Sequence, residues 1–133
     1  GARVTTSTGS AITGFHGNVI ISDDPVNPNE ALSDVKRVTA NEHTKTLASR
    51  KRDKKNTPTI LVMQRLHEED VTGYLIKKHG KTIKHICLPA ELSNKVSPPE
   101  LKEKYIDGLL DPVRINNEVI EEESILFLIL NGL

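Results

Sequence analysis

Asn18-Val19-Ile20-Ile21-Ser22-Asp23-Asp24-Pro25 is the stretch on which the reading of this 133-residue chain turns. Residues 18–22 form a short apolar run rich in β-branched side chains, cut off by two acids and a proline. A continuous rather than alternating run predicts a strand covered on both faces, as in a parallel sheet. Val26-Asn27-Pro28 then reads as a turn, with Asn27 as a helix N-cap. A helical stretch follows from Asn29 to about Ser49, with Ala31, Val35, Val38 and Leu47 on one side. It dissolves into Arg50-Lys51-Arg52-Asp53-Lys54-Lys55-Asn56 and breaks at Thr57-Pro58. Thr59-Ile60-Leu61-Val62-Met63 is a second continuous apolar strand, ended by Gln64 and Arg65. Two such strands joined by a helix predict parallel neighbours with a right-handed crossover. Both then end at one rim, which brings Asp23, Asp24 and Gln64 together.

Downstream, the acidic trio Glu68-Glu69-Asp70 suits the positive end of a helix over 68–79, and Gly80 fits its C-terminal cap. Ile83 to Leu88 alternates and predicts a third strand, with Cys87 turned inward as a small core residue. The expected class is α/β: part of a mainly parallel sheet with flanking helices. Residues 1–17 read as a weak strand and the turn Thr13-Gly14-Phe15-His16-Gly17. At Ser93 the composition shifts, and residues 97–123 carry eight acids against three bases. Ser97-Pro98-Pro99-Glu100 opens a short helix to about Ile106, Asp107-Gly108 is a turn, and Asp111-Pro112 opens a helix to about Glu122. The predicted domains are 1–92 and a helical connector, 93–133. The connector ends in the apolar run Ile125-Leu126-Phe127-Leu128-Ile129-Leu130, read as a core strand or a sticky tail.

Composition narrows the function classes. Aromatic residues are only 3% of the chain, so a core must be built from Ile, Leu and Val. Eighteen basic and eighteen acidic residues cancel. That excludes a strongly basic nucleic-acid clamp, though not a local patch. The single cysteine, Cys87, excludes an internal disulfide framework and a Cys-rich zinc module. No apolar run approaches the roughly 20 residues of a spanning helix, and no leader pattern opens the chain. A reducing cytoplasm is the expected location. The first residue is Gly rather than Met, which suggests a piece of a longer protein.

The candidate chemistry lies at the strand ends. Ligands of open α/β sheets sit at the carboxyl ends of the strands. One carboxylate there can hold Mg²⁺ through water, and its neighbour can polarise an attacking water. Successive strand residues point to opposite faces, so adjacent acids can divide these tasks. The same letters also suit a turn that merely closes a strand. Gln64 can orient water or sense a phosphate, and Arg65 can meet a phosphate or an acid; either can also be a strand end entering solvent. The basic run at Arg50, Lys51, Arg52, Lys54 and Lys55 suits either a solvated loop or contacts to a DNA backbone. No aromatic is interleaved to stack on bases. His67 reads as a capping or packing residue.

Together these blocks resemble the large terminase subunit of tailed bacteriophages and prophages. The resemblance rests on Thr13-Gly14-Phe15-His16-Gly17, on Ile20-Ile21-Ser22-Asp23-Asp24-Pro25-Val26-Asn27-Pro28, and on Val62-Met63-Gln64-Arg65-Leu66-His67-Glu68-Glu69-Asp70-Val71-Thr72-Gly73. Ile86-Cys87-Leu88-Pro89-Ala90-Glu91 and Gly108-Leu109-Leu110-Asp111-Pro112-Val113-Arg114 continue it in order, so it covers roughly 3–122. It implies a P-loop ATPase fold in a motor that packs double-stranded DNA into a procapsid, and a nuclease that cuts concatemers. By this resemblance Asp23 falls on the Walker B position that holds Mg²⁺. Asp24 falls on the catalytic carboxylate, where many relatives have Glu. Gln64-Arg65 fall on the motif coupling hydrolysis to movement. ATP and Mg²⁺ are the implied cofactors of a full-length member. The implied partners are phage DNA, the small terminase subunit, the portal protein and further copies in a ring, inside a bacterial host cell.

Three departures qualify what this chain can do. No Gly-x-x-x-x-Gly-Lys-Ser/Thr loop occurs in its 133 residues. The family's nuclease acids find no counterpart, and after Glu122 the sequence leaves the family pattern, as a frameshift or truncated prophage gene would. These residues alone are therefore expected to bind no nucleotide and to be inactive. The competing readings are a non-catalytic remnant that binds protein or DNA, and a metal-dependent α/β nuclease using Asp23 and Asp24.

Overall fold

A computed structural model describes residues 2–7, 14–116 and 118–120. The chain divides into two units, 1–83 and 84–133.

The first unit is a small α/β fold. Strand β1 (Ile20–Asp23) and strand β2 (Thr59–Val62) pair in parallel, with Ile20 opposite Thr59 and Asp23 opposite Val62. Between them run a short 3₁₀ turn (Pro28–Glu30), helix α1 (Asp34–Leu47) and a second 3₁₀ turn (Ala48–Arg50). Asn27 caps the first of these, accepting from the Asn29 N–H at 3.0 Å, with Pro28 in the first helical position. Pro28 suits that place because its missing N–H would have no partner there. After β2, helix α2 spans Val71–His79. Asp70 is its N-cap, so Glu68 and Glu69 stand before the helix rather than in its first turn. Gly80 closes it as expected, donating to the Ile76 carbonyl at 2.9 Å.

The core is slight. Val26, Ala31, Ala40 and Val71 are buried, and Leu61, Met63, Leu66 and Leu75 pack on them. The inward face of α1 differs from the expected one. Ala31, just before it, and Leu47 are buried, but Val35 and Val38 are 74% and 58% exposed. Arg37 and Ala40 take their place. Arg37 can enter because its guanidinium is paired as it is buried: it donates to the Ala31 carbonyl at 2.7 Å and to the Asp34 carboxylate one turn away. The partners at both Nη atoms limit the cost of burying the charge, while the long stem covers apolar surface.

The double cover predicted for the strands is not observed. Ser22 and Leu61 lie on the half-buried face, whereas Ile21, Ile60 and Val62 are 66%, 45% and 54% exposed. No third strand joins this sheet among the described residues. The stretch predicted as one, 83–88, leaves α2 through turns in which Thr82 and Ile83 both donate to the His79 carbonyl.

The second unit has little regular structure. Cys87 and Ser97 exchange two backbone hydrogen bonds, at 2.8 and 3.0 Å, in an isolated antiparallel bridge. Cys87 is half-buried rather than a core strand residue. The helix expected from 97 to 106 is a 3₁₀ segment over Pro99–Lys104. Asp107 and Gly108 form the expected turn, both at positive φ (51° and 81°), and Ile106 pairs with Leu109 across it. Val96 and Leu109 are buried, and the Tyr105 hydroxyl donates to the Pro89 carbonyl at 2.7 Å. At the helix expected from 111 to 122, residues 112–114 turn and 118–120 are helical. The rest of that helix, the apolar run 125–130 and part of the early turn lie outside the described residues.

Candidate functional site

The two strands end together. Asp24, the first residue past β1, donates its N–H to the Val62 carbonyl at 2.9 Å. Its carboxylate Oδ1 in turn accepts from the Gln64 N–H at 3.4 Å. Asp24 stands at φ 38°, in the left-handed region. Asp tolerates that region better than most residues, though not freely, and strained backbone clusters at functional positions. The turn is useful here: it folds the carboxylate back over the end of β2, while the exposed Asp23 stays on the strand face beside Val62. The chain thus places two carboxylates and the Gln64 backbone at one rim. Among the described residues, none hydrogen-bonds the Gln64 side-chain amide.

Arg65 has a different position. Its Nε donates to Asp70 Oδ2 at 2.9 Å and its Nη2 to the His67 carbonyl at 3.3 Å. Asp70 is 1% exposed and accepts further from the N–H groups of Leu66, His67 and Gly73, at 3.1, 3.4 and 2.8 Å. One buried carboxylate thereby caps α2 and gathers the turn leading into it. Here Arg65 neutralises that carboxylate. Gly73 is required for the same reason: a Cβ there would meet the Glu68 carbonyl oxygen at 1.8 Å. His67 belongs to this turn too, its Nδ1 accepting from the Glu69 N–H at 3.0 Å. The sequence signal was an Asp directly before a helix with Gly three residues on, the spacing of a side-chain N-cap.

The basic run sits at the other end of the sheet. Gly17, three residues before β1, donates to the Arg50 carbonyl at 2.9 Å and accepts from the Arg52 N–H at 3.0 Å. Arg50, Lys51 and Arg52 therefore stand at the amino rim, while Asp23, Asp24 and Gln64 stand at the carboxyl rim. Four residues of strand separate the two, about 13 Å. The run continues into a built turn. The Asp53 carboxylate accepts from the Asn56 side chain at 2.6 Å and from the N–H groups of Lys55 and Asn56 at 2.8 and 3.1 Å. These bonds, the Asn56 amide foremost, hold its carboxyl below the usual Asp range. Lys51 and Lys54 border a shallow concavity of about 400 Å³ with Ser49 and Lys45. Lys45 is the member the sequence reading missed, because it belongs to α1. Its ammonium is paired with Glu42, and that hydrogen bond raises its pKa.

Among the described residues, no group of three or more His, Cys, Asp and Glu side chains converges as a metal cage would. No helix among them is long and apolar enough to cross a membrane.

No protein family, curated protein or solved structure matches this chain. The rim must therefore be read on its own chemistry.

Proposed function

We propose that these residues form part of the ATPase half of a DNA-packaging motor subunit of the large-terminase type. The observation that supports this is the shared carboxyl rim, where two parallel strands bring Asp24 and Gln64 into contact. In that reading the sheet is a portion of a P-loop NTPase sheet. The rim suits a hydrated Mg²⁺: its exposed carboxylates are hard oxygen donors, and Mg²⁺ takes one or two of these and keeps several waters. Asp23 would hold the ion, which supplies charge neutralisation for phosphate oxygens. Asp24, folded back over the strand end, would hold a water as hydrogen-bond acceptor. The Gln64 amide would orient it, and Arg65 would report its position through the Asp70 turn. The residues do not suit the triphosphate itself, since no Gly-rich loop with its Lys is among them. Double-stranded DNA, a small subunit, a portal protein and further copies in a ring are the proposed partners of the whole motor.

Two experiments test the reading. A Mg²⁺ titration followed by amide NMR should shift residues 22–24 and 62–65 selectively, and Asp23→Asn should abolish the shift; diffuse shifts would remove the rim's metal role. Sequencing upstream of the Gly1 codon should find an in-frame Walker A motif. A continuous upstream frame without one sinks the motor assignment.

A further inference from the structure

The basic run stands beside the end of α1, and its backbone is fixed twice. Gly17 donates to the Arg50 carbonyl and accepts from the Arg52 N–H. Farther on, Asp53 and Thr57 close on each other: the Asp53 N–H donates to Thr57 Oγ1 at 3.1 Å, and the Thr57 N–H to the Asp53 carbonyl at 2.9 Å. Thr57 is buried. So held, Lys51 and Lys54 border the same concavity of about 400 Å³ as Lys45, Ala48 and Ser49. Charge is one-sided there, since none of these five residues is an acid. From 43 to 67 the sequence holds a single acid, Asp53, and three donors of its own turn engage its carboxylate. Glu42 pairs with Lys45, and the carbonyl end of α1 adds about half a negative charge. Lys51 and Lys54 form no ion pair with the described residues. The balance is positive, and Arg50, Arg52 and Lys55 continue it along the chain. Cations that extend past the reach of one phosphate fit a linear polyanion.

We propose that this concavity holds the phosphate backbone of a double-stranded nucleic acid, with Lys45, Lys51 and Lys54 as its contacts. Lysine meets phosphate as a point charge and reads no base, so binding is indifferent to sequence. No aromatic lines the concavity to stack unpaired bases, which favours a duplex over a single strand. Backbone that is fixed before binding loses less freedom when the phosphates arrive. The contact is a surface rather than a stretch of sequence: Lys45, on α1 and five residues before the run, belongs to it. The inference gives the DNA of the motor reading a place on this unit, but it rests on the charges alone. The upstream frame can lack a Walker A motif without touching it.

Fluorescence anisotropy of a labelled mixed-sequence DNA duplex, titrated with the full chain at several salt concentrations, tests it. Three phosphate contacts predict a log–log salt slope of about −3 and a Kd on the order of 10⁻⁵ M near physiological salt. Lys45→Gln, Lys51→Gln and Lys54→Gln should each bring the slope about one unit nearer zero. Lys77→Gln, on α2, should leave it unchanged, and far-UV circular dichroism should show every variant folded. No detectable binding, or a flat salt response, overturns the proposal. So does a slope that answers to Lys51→Gln and Lys54→Gln but not to Lys45→Gln, because that returns the contact to the run alone. A single strand that binds more tightly than the duplex overturns it as well, and so does inorganic phosphate that competes beyond its ionic strength, which would reduce the site to one for a lone anion.

Discussion

Asp24 and Gln64 are bound to one another across 40 positions of chain: the carboxylate of one accepts the backbone N–H of the other. That bond, with the Asp24 N–H donated to Val62, closes the end of a two-stranded sheet and sets a charged group where the strands stop. The position carries a conflict. A φ of 38° favours Gly, yet the residue at that place is an Asp whose carboxylate is bound to the neighbouring strand end.

Asp24→Gly should therefore remove the carboxylate without the loss of stability that truncation of an ordered side chain brings, because it relieves left-handed strain of about 1 kcal/mol. Asp24→Val should cost about 1 kcal/mol or more. Urea denaturation of the three chains checks the order: Asp24→Val below the natural chain, with Asp24→Gly at or near it.

The Asp70 turn gives a sharper ranking. Asp70→Ala leaves four donors without their acceptor in a buried place and should cost roughly 3 kcal/mol. Arg65→Ala removes the part-exposed cation but leaves the buried Asp70 carboxylate its three backbone N–H donors, and should cost less, about 1–2 kcal/mol. If Arg65→Ala proves the more damaging, the hub has been assigned to the wrong residue.

Gly73→Ala should destabilise by about 2 kcal/mol or more, since its Cβ would fall 1.8 Å from the Glu68 carbonyl oxygen and the turn must open to admit it. Gly14→Ala meets nothing within 4 Å and carries only the strain of its positive φ, about 1 kcal/mol. Thermal melts of the two variants should separate clearly.

Two titrations run in opposite directions. The Asp53 carboxyl lies below the usual Asp range, so its stabilising bonds are fully present above the unfolded value of about 3.9 and are lost as pH falls through the lower folded value. Carbon NMR of Asp53 should show the depressed midpoint, and Asn56→Ala should raise it. Tyr105 is shifted upward, chiefly by burial and then by the nearby Cys87. Its contribution is present below the unfolded value of about 10 and fades as pH rises through the higher folded one. Alkaline absorbance should show a late tyrosinate phase that disappears in Tyr105→Phe.

The parallel pair and its shared rim were legible because two continuous apolar runs each ended in polar residues. What lay on either side of the sheet was not. A continuous run signals apolar faces, but it does not say whether anything arrives to cover them, and Ile21, Ile60 and Val62 stay open. In α1 the valines misled because hydrophobicity alone was weighed. Arg37 is held inside by Ala31 and Asp34, a pairing that the apolar pattern cannot register. The strand at 83–88 failed on a longer-range fact: alternation describes a strand only if a sheet edge comes to meet it, and among the described residues only Cys87 finds a bridge partner, in Ser97. At the site, Asp23, Asp24 and Gln64 were readable from the strand ends. The bond from Arg65 to Asp70 was not, since the arginine looked equally suited to a phosphate.

The spacing of the bonds around Asp70 also orders events in time. Its four partners lie three to five residues away, whereas the sheet rim joins positions 40 apart. Closing a short loop loses less chain entropy than closing a long one, and local contacts form sooner. The turn at 65–73 is therefore the natural seed of this unit, and the pairing of Asp24 with Gln64 its last stitch. In reverse, the same stitch is the first to slip: hydrogen exchange should reach the Asp24 amide well before that of Gly73, so the rim where the two strands end is the least durable part of this unit.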